Sequence, residues 1–185
     1  MELHGMADEN YFSPESIIAL RHFSLALRSL RVVFESEETA RFKAMVGKFG
    51  NFDSELQNFR KIERENNYWQ SGLWNNSLKL FFGMGIAFTP PNSDGYPKMR
   101  LRHAIEDKSP IFHEYQAVMK RAADEFGWKF NLAGEWTTIE KQQSLATILG
   151  EENRIEAARL FFREALDDLE KIIEQHLEDF LAGKM

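Results

Sequence analysis

The chain of 185 residues is 43% hydrophobic and 28% charged, which suits one globular unit with a buried core. It has no cysteine, which excludes disulfides, thiolate metal sites and a cysteine nucleophile and points to a reducing cytoplasm. A net charge of -6 argues against indiscriminate nucleic-acid binding while leaving room for a local basic patch.

Met1-Glu2-Leu3-His4 lacks the basic and apolar segments of a signal peptide, and no run approaches the ~20 apolar residues of a membrane span, so no membrane association is expected. Residues 1–12 carry no periodic signal and read as a frayed end. Ser13-Pro14-Glu15 then opens a helix whose apolar face runs from Ile17 through Leu20, Phe23, Leu27 and Leu30 to Phe34. A second helix starts at Ser36-Glu37-Glu38-Thr39, carries Phe42, Met45, Val46 and Phe49, and meets Gly50. A third begins near Asp53 with Leu56, Phe59 and Ile62, and the run from Asn66 to Gly72 interrupts or ends it.

The middle of the chain changes period. Phe82, Met84, Ile86 and Phe88 alternate with Phe81, Gly83, Gly85 and Ala87, and after a turn-rich run Met99, Leu101, His103 and Ile105 alternate with Lys98, Arg100, Arg102 and Ala104. The period of two predicts a hairpin with one apolar face. Its other face sets a strip of small residues beside three basic ones.

Ser109-Pro110 opens the clearest helix, with Ile111, Phe112, Tyr115, Val118, Met119, Ala122, Ala123 and Phe126 on one side and Gly127 at its end. Trp128, Phe130 and Leu132 alternate with Lys129 and Asn131, the pattern of a third strand. Thr137 to Gln143 has helix-type residues, and Ser144 to Leu149 reads as a fourth, buried strand. Glu151 to Ala182 reads as one helix of roughly 45 Å at ~1.5 Å per residue. Its seam of Phe162, Leu166, Leu169, Ile173, His176 and Phe180 repeats in alternating steps of four and three.

From about Tyr68 onward this order of elements resembles a bacterial domain of unknown function that occurs alone or attached to restriction- and nuclease-related proteins. The features that carry the resemblance are the paired strands, the helix ending Phe126-Gly127, the strand Trp128 to Leu132, the stretch ending Lys141-Gln142-Gln143-Ser144, and the closing Phe-rich helix. The resemblance implies a role beside DNA-processing or defence systems and brings no catalytic motif with it.

The residues offer three kinds of candidate site. Lys98, Arg100, Arg102 and Lys108, flanked by Tyr96, could meet nucleic-acid phosphates or a partner's carboxylates, or could simply be solvated charges. His103 and His113 could work with Glu106, Asp107 or Glu135 in a nuclease or other hydrolase, although His103 also fits a buried, hydrogen-bonded imidazole. The helix seam Phe162, Leu166, Leu169, Ile173, His176 and Phe180 could join two copies antiparallel, because Arg154, Arg159 and Arg163 precede Glu170, Glu174, Glu178 and Asp179; it could equally be a core face.

The five histidines have no HxxH or HExxH spacing, and there is no GxxxxGK[ST], GxGxxG or GxSxG, so neither metal nor cofactor is expected. The expected fold is α+β, a small antiparallel sheet covered by helices, with all-α as the alternative. Residues 1–77 form an N-terminal helical region and 78–185 an α+β region, together one compact unit. The expected function is a non-enzymatic binding or adaptor protein, oligomeric and belonging to a bacterial or phage defence or DNA-processing assembly. A His/carboxylate hydrolase is the alternative, with an acidic nucleic-acid mimic behind it.

Overall fold

In the computed structural model, the described residues are 37–47, 67–87 and 97–183, together with Ile18, Arg21, His22 and Leu25, which are helical. The expectations for the frayed start, for the helix from Asp53, for the turn after the first hairpin strand and for most of the Ser13 to Phe34 helix fall outside them. The fold is α+β. Its elements are α1 (Glu37–Gly47), β1 (Asn67–Asn75), β2 (Leu80–Ala87), β3 (Lys98–Glu106), α2 (Phe112–Phe126), β4 (Lys129–Ala133), β5 (Trp136–Ser144), α3 (Leu145–Gly150) and α4 (Arg154–Ile172). A π-helical turn, Ile173–Leu177, joins α4 to α5 (Glu178–Ala182).

The five strands form one antiparallel sheet in the order β1-β2-β3-β5-β4. β2 and β3 pair as the alternation requires: Phe82 lies opposite His103, Met84 opposite Leu101 and Ile86 opposite Met99. These side chains face a core that also takes Ile139 from β5, Tyr115, Met119 and Ala122 from α2, and Phe162, Leu166 and Leu169 from α4. The buried apolar residues of α1 (Phe42, Met45 and Val46) belong to the same core. On the opposite face a smaller cluster joins Phe81 and Ala104 with Trp74 and Trp136.

Two segments differ from the sequence expectation. Residues 67–75, read as the interruption of a helix, are strand β1, so the sheet reaches back into the region expected to be helical. Residues 137–149 are inverted: the strand ends at Ser144 and the helix starts there, because the Ser144 side chain accepts from the Ala146 N–H and caps α3. The helix-forming types Glu140 to Gln143 stay extended because β3 and β4 pair with them on both sides.

Helix α2 begins slightly later than its Ser-Pro opening suggests. The Ser109 hydroxyl donates to the Leu78 carbonyl at 2.6 Å and accepts from the Ile111 N–H at 3.3 Å, which ties the turn to the sheet. Gly127 ends α2 in the left-handed region at φ 66°, and the next N–H, of Trp128, returns to the Ala123 carbonyl at 2.9 Å. Gly127→Ala should therefore cost about 1 kcal/mol in a urea unfolding titration although no atom stands where the new Cβ would go.

The closing helix is not one regular α-helix. Its seam residues Phe162, Leu166, Leu169 and Ile173 are at most 2% exposed within this chain, so they are core and cannot face a second copy. Beyond them the π turn admits one extra residue, and burial moves to Leu177 and Leu181 while His176 and Phe180 are only partly covered. The charges that looked segregated are used locally: Arg163 reaches Glu38 on α1 at 3.3 Å, and Arg41 reaches Asp167 and Glu170. Burial would lower the Arg41 pKa, but these two carboxylates raise it.

Candidate functional site

The basic strand lies on the face of the sheet opposite the main core, with Gly85 beside Arg100 and Gly83 beside Arg102 as the small-residue strip requires. The arginines, however, are not outermost. Arg100 is only 7% exposed, and its Nη1 donates to Glu140 Oε2 at 3.0 Å; Arg102 Nε lies 3.5 Å from the same oxygen. Glu140, 4% exposed, also accepts from Asn131 Nδ2 at 3.1 Å through its other oxygen. This is a buried cross-strand charge cluster holding β3, β5 and β4 together, and it replaces the open basic surface expected from the sequence. Of the other residues in that expectation, Lys108 is exposed and pairs with Glu106 and Glu135 at 3.7 and 3.6 Å, and Lys98 is half-buried at the start of β3. Tyr96 lies outside the described residues.

The histidines are not gathered into a catalytic group. His103 is fully buried, with Nδ1 3.1 Å from the Phe81 carbonyl and Nε2 2.8 Å from the Tyr115 hydroxyl. A carbonyl only accepts, so Nδ1 carries the proton and the Tyr115 O–H donates to a bare Nε2. Burial pushes the His103 pKa down to about 3, against the opposing bond to Phe81, and pushes the Tyr115 phenol up. The ring is also stacked on Phe82 at 3.9 Å. Neither nitrogen is open to a substrate.

His113 is exposed on the first turn of α2, and Glu106 closes β3 beside Lys108. Asp107 and Glu135 meet through the backbone, the Asp107 N–H donating to the Glu135 carbonyl at 2.8 Å. His176 pairs with Glu125 at 3.0 Å across α2 and the π turn. Among the described residues no cluster of histidines and carboxylates could hold a metal ion. No described helix is long and apolar enough to cross a membrane.

What the sequence did not reveal is the edge of the sheet. β4 pairs with β5 alone, and no described backbone bond reaches its outer side. Phe130 is partly buried against the core, with Lys120 Nζ 5.6 Å from its ring, whereas Leu132 on the same face is 67% exposed. A single exposed leucine is ordinary, but here it stands on a strand with free N–H and C=O groups and with no proline or charge between Phe130 and Ala133. Such an edge is a template for another strand.

Comparisons of the chain with protein-family models, with curated proteins and with solved structures find no match.

Proposed function

We propose that the chain is a non-enzymatic binding or adaptor protein that works as an oligomer and engages its partner by strand addition at β4. The observation that carries this reading is the unpaired, uncharged β4 edge with Leu132 67% exposed on it. The occupation of both His103 nitrogens within the core weighs against the hydrolase alternative built on that residue. The order of elements from Tyr68 onward suggests a place in a bacterial or phage defence or DNA-processing assembly.

Affinity capture with the wild-type chain and with Leu132→Lys as parallel baits tests this. A companion held by the first and lost by the second is the expected result. Identical companions on both baits would remove β4 as the binding element. Cleavage of DNA or RNA in Mg²⁺ or Mn²⁺ that disappears in His113→Ala would replace the reading with an enzyme.

A further inference from the structure

Resting on the strand-addition reading, we propose that the strand β4 receives is β4 of a second copy, antiparallel and centred on Asn131, so that the two sheets become one. The sequence of the edge is complementary to itself in that register. Phe130 falls opposite Leu132 of the second copy, and Leu132 opposite its Phe130, on the face that Phe130 already shares with Ile139. The exposed leucine of each copy thereby covers the half-buried ring of the other, the reciprocal contact that a two-fold axis requires.

The charges favour the same arrangement. On the other face Lys129 stands opposite Ala133 of the second copy, and Glu135, 62% exposed, follows just beyond the strand end. Each Lys129 therefore meets a carboxylate at each end of the joined pair. A parallel pairing would set Lys129 against Lys129 and lose both contacts. The other edge of the sheet is less suited, because β1 carries an irregularity between Trp69 and Ser71 that twists a strand away from flat pairing.

The contact is short. A five-residue strand buries less than the ~1,200 Å² of a standard interface, so the dimer should be weak, with a Kd on the order of 10–100 µM. Sedimentation equilibrium of the full chain from about 5 to about 500 µM brackets that constant. Wild type should pass from monomer to dimer across the range. Leu132→Lys should loosen the dimer by about tenfold or more, with an unchanged circular dichroism melt because the side chain is already exposed.

Lys129→Glu should loosen it by about threefold to tenfold, and adding Glu135→Lys should restore it. A wild-type chain that stays monomeric at about 500 µM, or a Leu132→Lys dimer as tight as wild type, overturns the proposal. Failure of the second charge reversal to restore the first overturns the Asn131-centred register. A monomeric wild type that still captures a companion lost by Leu132→Lys overturns the second copy as occupant while leaving strand addition standing.

Discussion

Glu140→Ala is expected to lower the unfolding free energy by about 3–5 kcal/mol, a large part of what a domain of this size has in total. The carboxylate is 4% exposed and is shared by Arg100 and Arg102, so its removal leaves two guanidiniums on a dry sheet face without the anion between them. The loss of the Asn131 bond adds to this and loosens β4 from β5. Glu140→Gln keeps the shape and an amide oxygen but not the charge, and should fall between wild type and alanine. Urea titrations of the three proteins measure the series. A loss under ~1 kcal/mol for the alanine variant would show that the cluster contributes no more than a surface ion pair.

The second large effect is on pH. His103 is neutral in the folded chain down to about 3, whereas the unfolded imidazole takes a proton below its ordinary 6.5. Over that window the unfolded state holds the extra proton, so acid favours unfolding. The contribution is fully present above pH 6.5 and is lost as pH falls towards 3, at about 1.4 kcal/mol per pH unit and on the order of 4 kcal/mol in all. Carboxylates titrate over part of the same range, so the quantity to measure is the difference between wild type and His103→Gln. Between about pH 6 and 4 wild type should lose stability faster than the variant by that slope. A difference that stays flat would mean that the ring accepts its proton inside the fold.

Much of this architecture is visible in the residues before any coordinates. The β2–β3 register sets Phe82, Met84 and Ile86 opposite His103, Leu101 and Met99, which are the residues that a period of two selects, and α2 ends at the glycine that its apolar face anticipates. β5 was hidden because Glu140, Lys141, Gln142 and Gln143 favour helix by type. What keeps them extended are partners distant in sequence: Glu140 under the β3 arginines, and Lys141 on Asp168 at 2.6 Å. The same blindness misplaced the arginines. Alternation on β3 shows that they share a face but cannot show that a carboxylate from another strand closes over it.

The helix seam failed for a related reason, since an apolar stripe fits a neighbouring sheet as well as a second copy. The β4 edge could not be seen because it is defined by the strand order, and that order depends on β5. Candidate sites were thus legible where chemistry follows from local spacing and illegible where it follows from which strand stands last.

The π turn makes the end of the chain sensitive to its length more than to its composition. Removing one residue between Ile173 and Leu177 would restore a plain α-helix and carry everything after it about 100° around the axis, turning Leu181 out of the core. Exchanging one aliphatic type for another at the same place would leave that phase intact. A homologous chain one residue shorter here would thus need its last apolar side chains displaced by one position to build the same interior, and an alignment drawn without a gap would pair the wrong ones.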